Sequence, residues 1–209
     1  MFLPMGFMIF FKTNIDNNKF EDRENVILTV ARLGIEQKAT DLLLEAFALI
    51  AQEIPGWTLR LAGPVAEEFM PFRESFFAEH PKLKERILFL GEITDRKELA
   101  KEYKRAKIFA LPSAWEGGNP NVVAEALYSG CVTAVTRFDA WEDCIGKGKC
   151  GAVADTGDTK GFAEVLKNLC LNSDLKTMSE NAREYAKEMF NMEKNVLWLF
   201  ARLKERTVK

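Results

Sequence analysis

Residues 107–130 read KIFALPSAWEGGNPNVVAEALYSG, and this stretch decides the fold. Lys107–Leu111 is a short apolar run with the length of a buried strand, and Pro112 and Ser113 stop it. Ala114–Asn119 holds Gly117, Gly118 and Asn119 and reads as a loop. Asn119 before Pro120 marks a helix start, with Asn as the cap and Pro at the first helical position. Val122, Val123, Ala126 and Leu127 follow at helical spacing, and Gly130 ends the helix. The unit is a strand, a glycine-containing loop carrying Glu116, and a helix carrying Glu125.

The same alternation runs outward from this unit. Strands are expected at Asn25–Ala31, Trp57–Gly63, Arg86–Leu90, Lys107–Leu111, Val132–Thr136 and Gly151–Ala154. Helices are expected at Thr40–Glu53, with Leu42, Leu43, Ala46, Phe47, Leu49 and Ile50 inward, and at Pro64–Glu79, with Phe69, Phe72, Phe76 and Phe77 on its apolar side. Pro71 inside the second of these predicts two helical pieces. Further helices run from an Asp95 cap to Arg105, from Asp158-Thr159 to about Leu171, and from Ser173 or Asp174 to about Phe190. Trp141, Glu142 and Asp143 fall in a loop. No Asn-Gly hairpin signal occurs, so the pattern predicts an α/β fold: a Rossmann-like, doubly wound parallel sheet of about six strands with helices on both faces.

Composition narrows the function. A net charge of −2 gives no general electrostatic case for binding nucleic acid or a membrane, so any phosphate site must be local. Cys131, Cys144, Cys150 and Cys170 form no CxxC pair, and His80 is the single histidine, which disfavours a zinc site. The plain reading is buried, reduced thiols in a cytoplasmic protein, with His80 an exposed turn residue. Met1–Phe11 is apolar but has no basic start, no small-residue cleavage site and too little length to span a bilayer. There is no GxGxxG after the first strand, which argues against a nicotinamide cofactor.

In an open parallel sheet, the Glu116 loop lies at the carboxyl edge of the strands, where ligands bind. The helix after it offers free N–H groups and a partial positive charge to a phosphate. Side chains lean toward a helix N-terminus, so Glu125 reaches back toward the same crevice, and a carboxylate can accept from both hydroxyls of a ribose. Taken singly, Glu116 reads as a surface charge and Glu125 as a solvated helix residue; the frame around them argues otherwise.

That frame resembles the nucleotide-binding half of a two-domain, GT-B type glycosyltransferase, most similar to retaining glycosyltransferase family 4. Its pattern P-S-x-x-E-G-x-P-N-V-x-x-E-A-x-x-x-G is matched by Pro112, Ser113, Glu116, Gly117, Pro120, Asn121, Val122, Glu125, Ala126 and Gly130. The departure is in loop length: eight residues, rather than the family's seven, separate Glu116 from Glu125, and the extra one falls before Pro120. Ala31-Arg32-Leu33 and Lys38-Ala39 resemble the family's G-R-L and K-G, with Ala in both Gly places. Two cations at a strand-to-helix junction suit a nucleotide diphosphate, Arg as a planar fork and Lys as a point charge. Leu90-Gly91-Glu92-Ile93 resembles the segment that lines the nucleobase and is equally compatible with an ordinary strand-ending glycine; Gly63 lies at the same edge.

The resemblance implies the donor-binding half of a glycosyltransferase using a UDP-, GDP- or ADP-sugar. In it Glu116 contacts the donor sugar, and the backbone of Gly117, Gly118, Asn119, Pro120, Asn121 and Val122 meets sugar and phosphate. Glu125 holds the ribose, and Arg32 with Lys38 holds the diphosphate. The chain lacks an apolar strand leading into Asp-x-Asp, so no obligatory metal and no cofactor are expected. Leu3-Pro4-Met5-Gly6-Phe7 resembles the family's lead-in to this domain. The expected organisation is therefore a lead-in and linker over 1–24, the donor-binding domain over 25–190 and a C-terminal helix over 191–209. That helix either crosses back to a partner domain or joins the core. An N-terminal acceptor domain is expected to be missing. The resemblance also admits peripheral membrane contact by the full-length enzyme. The competing reading, supported by the longer loop and the two Ala replacements, is a Rossmann-like interaction or regulatory module without catalysis.

Overall fold

The structure, a computed structural model, describes residues 19–190 and Val196. The lead-in Met1–Phe11 and the helix expected over Asn191–Arg206 lie outside the described residues, Val196 apart. Six parallel strands form one sheet in the order β3-β2-β1-β4-β5-β6. They are β1 (Glu24–Val30), β2 (Thr58–Ala62), β3 (Ile87–Gly91), β4 (Ala106–Leu111), β5 (Val132–Thr136) and β6 (Gly151–Ala154). The helices are α1 (Thr40–Ile50), α2 (Met70–Glu79), α3 (Arg96–Arg105), α4 (Asn121–Ser129), the single turn α5 (Trp141–Cys144), α6 (Thr159–Cys170) and α7 (Leu175–Met189).

Alternation along the strands sorts the core into two layers. Ile27 of β1 with Ile108 and Ala110 of β4 faces one side, where Leu43 and Phe47 of α1 and Phe162 and Leu166 of α6 cover them. Val26 and Leu28 of β1 with Phe109 and Leu111 of β4 faces the other, beneath Tyr103 of α3, Val123 and Leu127 of α4 and Ala182 and Ala186 of α7. The central strands are buried on both faces, which is why Ile108–Leu111 of β4 reads as an unbroken apolar run; β5 is equally buried but carries Thr133 and Thr136, whose hydroxyls donate to the Cys144 and Ser113 carbonyls. The fold expected from sequence is the one observed, and the strand boundaries agree within two residues.

The differences are local. Leu49 is 56% exposed rather than inward, because it lies about a quarter turn from the centre of the stripe set by Leu42, Leu43, Ala46, Phe47 and Ile50. The expected helix from Pro64 starts later. Val65 pairs with Leu33 in a parallel bridge, a 3₁₀ turn spans Glu67–Phe69, and α2 begins at Met70 with Pro71 in its first turn, where a missing N–H costs nothing. Trp141–Cys144 forms one helical turn instead of a loop. Asp95 and Asp158 cap as expected, accepting from the N–H of Lys97 at 2.7 Å and of Gly161 at 2.9 Å. His80 is half-buried, its ring 4.8 Å from that of Phe76. The four cysteines are unpaired, three buried and Cys170 half-buried.

One buried cation organises the far end of this frame. Arg23, 4% exposed, donates to the carbonyls of Tyr103 (3.2 Å), Ala106 and Ser129. These acceptors close α3, open β4 and close α4. No described carboxylate pairs with the guanidinium; the negative ends of two helices do that work.

Candidate functional site

The crossover reverses between β1 and β4, so the loops after these strands diverge and leave a crevice at the carboxyl edge. A cleft of about 210 Å³ opens there, with Val30, Ala31 and Arg32 after β1, Gly63 and Pro64 after β2, and Glu92 and Ile93 after β3 in its walls. Leu99 of α3 and Val122 of α4 close it. Of the residues expected at the site, Arg32, Gly63, Ile93 and Val122 thus share one cleft. Arg32 is exposed there and makes no hydrogen bond or ion pair with a described residue.

Gly63 is fixed by geometry as well as position. Its φ is +138°, and an added Cβ would fall 1.8 Å from the Ala31 carbonyl oxygen. Only glycine lets the chains after β1 and β2 run this close while the Gly63 N–H donates to the Gly91 carbonyl at 2.8 Å.

Lys38 and Glu116 lie outside the cleft lining and meet each other instead. Lys38 ends a 3₁₀ turn, Glu36–Lys38, and its ammonium donates to the Glu116 carboxylate, which also accepts from the Ser113 hydroxyl at 2.6 Å. Ser113 is fully buried, and its carbonyl accepts from Thr136 Oγ1 at 2.5 Å. Two more bonds join the same loops: the Ala114 N–H donates to the Gln37 carbonyl at 2.9 Å, and the Gln37 side-chain amide donates to the Trp115 carbonyl at 3.1 Å. The loops after β1 and β4 are therefore stitched together. Ala39, in the second Gly place of the family pattern, adopts the left-handed region at φ 43° and sits before α1 with no side-chain cap.

The loop Glu116–Pro120 departs from expectation at its end. Pro120 is the N-cap, with φ −67° and ψ 135°, and α4 starts at Asn121. Asn119 makes no cap; its side-chain oxygen faces the Cys144 thiol at 3.7 Å. Pro120 is itself extended rather than helical, so Asn121 is the first helical residue and Asn119 falls one place outside the cap. Gly118 has φ +132° and Gly117 an ordinary φ, and added methyls would touch nothing within 4 Å at either. The extra residue is absorbed in open space. The N–H groups of Asn121 and Val122 serve no described backbone acceptor and open toward the crevice.

Glu125 is 3% exposed. Its Oε2 accepts from the Tyr103 hydroxyl at 2.8 Å. Burial pushes the carboxyl up to about 8, while the Tyr103 bond and the charge of Arg96 pull it down. Tyr103, 0% exposed, was not among the candidates from sequence, and its hydroxyl is pushed well above its ordinary range by burial and by Glu125. Leu99 and Pro64 were also not singled out for a site, and Glu92 was named only within Leu90-Gly91-Glu92-Ile93; the signal for the first two is their place near strand ends and helix starts.

This geometry can be set beside known proteins. The profile of the family described as glycosyl transferases group 1 matches residues 10–189. The chain belongs to that family. The lipopolysaccharide core biosynthesis mannosyltransferase LpcC of Rhizobium leguminosarum bv. viciae is 27% identical over 161 residues, covering 76% of this chain and 45% of the relative. The C-terminal domain of the group 1 protein LpcC from Francisella tularensis superposes with a TM-score of 0.70 at 20% identity, covering 84% of this chain and 93% of that one. A mutant of S. aureus TarM, in complex with fondaparinux, alpha-GlcNAc-glycerol and UDP, superposes with a TM-score of 0.74 at 20% identity, covering 89% of this chain and 37% of that one. This group 1 chain spans less than half the length of the curated relatives it matches. The two structural likenesses establish the GT-B half-fold. No helix among the described residues is long and apolar enough to cross a membrane.

Proposed function

We propose that this chain is the donor-binding domain of a retaining glycosyltransferase that moves a hexose from a nucleotide-diphosphate sugar to a glycan or lipid-linked acceptor. The observation that carries the reading is the single cleft holding Arg32, Gly63, Ile93 and Val122, with Glu125 one helical turn behind Val122. The base lies along Ile93, the ribose meets Glu125, and the diphosphate lies against Arg32, Lys38 and the N–H groups opening α4. Glu116 and the backbone of Gly117–Val122 meet the sugar. A cleft of about 210 Å³ is below the ~300–1,000 Å³ common for whole small ligands, so the nucleoside end enters it and the sugar lies outside, over the Glu116 loop.

As the bond from the sugar carbon to the phosphate oxygen breaks, negative charge gathers on the departing diphosphate. Arg32 and Lys38 stabilise that charge, with no obligatory metal, and fixed cations there act on the transition state more than on the bound donor. A front-face course, in which the leaving phosphate oxygen takes the acceptor's proton, needs no covalent nucleophile. The acceptor side belongs to a second, N-terminal domain, and the enzyme works on the cytoplasmic side with peripheral contact to the membrane. The Rhizobium relative's name as a mannosyltransferase and the UDP in the TarM crystal support the class of donor.

Titration calorimetry with UDP, GDP and ADP tests this. One of them is expected to bind in the micromolar range or weaker, about −6 to −8 kcal/mol. Glu125→Gln and Arg32→Ala should each weaken it by about tenfold or more. If none of the three binds, or both variants bind as the parent does, the reading is wrong.

A further inference from the structure

Tyr103 and Glu125 sit on adjacent helices, each one turn below a residue that lines the cleft. Leu99 of α3 and Val122 of α4 form the cleft wall; Tyr103 is four residues past Leu99, and Glu125 three past Val122. Residues at these spacings share a helix face, and their side chains lean back toward the N-terminus, here toward the cleft. The pair therefore stands directly behind the wall.

The Tyr103 ring is 0% exposed and packs within the apolar core layer. The ring lies 5.9 Å from that of Phe109, and the residue's carbonyl is held by Arg23 at 3.2 Å and by the Cys131 thiol at 3.2 Å. A phenylalanine would fill this place equally well. A buried hydroxyl is costly unless bonded, and this one spends its donor on Glu125 Oε2. No described residue donates a hydrogen bond to the other carboxyl oxygen. On the opposite flank α7 packs with Ala182 and Ala186, and its Arg183 donates to the Ser129 carbonyl at the far end of α4 (3.4 Å). Arg96 of α3 is the charge that acts on Glu125.

We propose that Tyr103 is a positioning residue for donor recognition: its hydroxyl fixes the Glu125 carboxyl so that the second oxygen faces the cleft and meets the ribose hydroxyls of a nucleoside diphosphate. This rests on the reading of Glu125 as the ribose-binding group. Oε2 is committed to the tyrosine and carries the orientation; Oε1 carries the recognition. A carboxyl held by one oxygen loses less freedom on binding than one left to rotate.

The experiment uses the 209-residue chain and three probes: whichever of UDP, GDP and ADP binds best, its dideoxyribose analogue, and inorganic pyrophosphate. Tyr103→Phe is expected to bind the nucleoside diphosphate about tenfold more weakly, with the other two probes within about twofold of the parent. The Tyr103→Phe, Glu125→Gln double variant should lose little beyond Glu125→Gln alone, because both act through one contact. Discrimination between ribose and dideoxyribose should also rise with pH, and that rise should move to higher pH in Tyr103→Phe, since a hydrogen bond that favours the carboxylate is gone. An unchanged nucleotide affinity in Tyr103→Phe, with Glu125→Gln weakened, overturns the role of Tyr103 and leaves the donor reading standing. Equal loss for all three probes makes Tyr103 a structural residue only. A parent that binds no nucleotide overturns both. Should the variant fail to fold, fluorotyrosine incorporated at Tyr103, Tyr128 and Tyr185 gives the answer by fluorine NMR. The Tyr103 resonance, assigned with Tyr128→Phe and Tyr185→Phe, should shift with the nucleoside diphosphate and not with pyrophosphate; a resonance that stays fixed with both overturns the proposal.

Discussion

Lys38 and Glu116 stand 78 residues apart in sequence and form an ion pair whose side chains are 14% and 9% exposed. Each belongs to a different loop at the carboxyl edge, so the pair ties the loop after β1 to the loop after β4. A partly desolvated pair of this kind is worth little against an apolar substitute, yet removal of one member strands the other.

That asymmetry gives opposite outcomes for the two partners. Lys38→Ala leaves Glu116 with only the Ser113 hydroxyl and should lower unfolding free energy by about 1–3 kcal/mol. It should also weaken nucleoside diphosphate binding. Glu116→Gln keeps an acceptor for Ser113 and releases the ammonium, so affinity for pyrophosphate should rise, by about threefold. Urea unfolding and calorimetry measure the two effects; affinities that move in the same direction in both variants would show that the ammonium does not serve phosphate.

Glu125 gives a stability that falls with pH. Its carboxyl is raised to about 8 in the folded chain, so the native state holds the proton more tightly than the unfolded state does. The contribution is complete below the ordinary carboxyl range near 4.5 and is lost as pH rises through 8. Urea midpoints should fall between about pH 5 and pH 9, with a total effect on the order of a few kcal/mol. Glu125→Gln should flatten that slope. A parent whose midpoint is constant across this range would mean that Glu125 is ionised throughout.

Ala39 holds a left-handed conformation that costs a side chain roughly 1–2 kcal/mol and costs glycine almost nothing. Ala39→Gly should therefore raise stability by about 1 kcal/mol, less a part for the greater freedom of the unfolded chain. Thermal unfolding would reveal it; a lower melting temperature would mean that the Ala39 methyl packs for more than its backbone costs.

Gly63→Ala should do the reverse. The added methyl would overlap the Ala31 carbonyl oxygen, and the loops after β1 and β2 would have to part. A loss on the order of 3 kcal/mol is expected, with nucleotide binding abolished at temperatures where the variant remains folded. Retained binding in a folded Gly63→Ala variant would place the ligand away from this cleft.

The sheet was legible because Val26–Leu28 of β1 and Ile108–Leu111 of β4 are short apolar runs bounded by polar and turn residues, recurring between helical stretches. Arg32, Gly63, Ile93 and Val122 could be placed at one edge since strand ends in a parallel sheet share that edge. Side-chain partnership was not legible. Tyr103 and Glu125 are 22 residues apart on helices whose mutual rotation no local pattern encodes. The pairing of Lys38 with Glu116 depends on how two loops lean together. Asn119 misses the capping place by one residue because Pro120 takes an extended ψ instead of opening the helix, a choice that the Asn-Pro signature does not encode. The turn Trp141–Cys144 is too short for helical periodicity to declare itself.

Arg23 gathers the closing carbonyls of α3 and α4 onto one guanidinium, at the opposite end of these helices from the cleft. The two rods that bear Tyr103 and Glu125 are thereby pinned at their bases like the arms of a caliper. On the donor reading proposed above, damage to that distant hinge would register first as weaker discrimination between ribose and dideoxyribose, with the hold on a bare diphosphate kept.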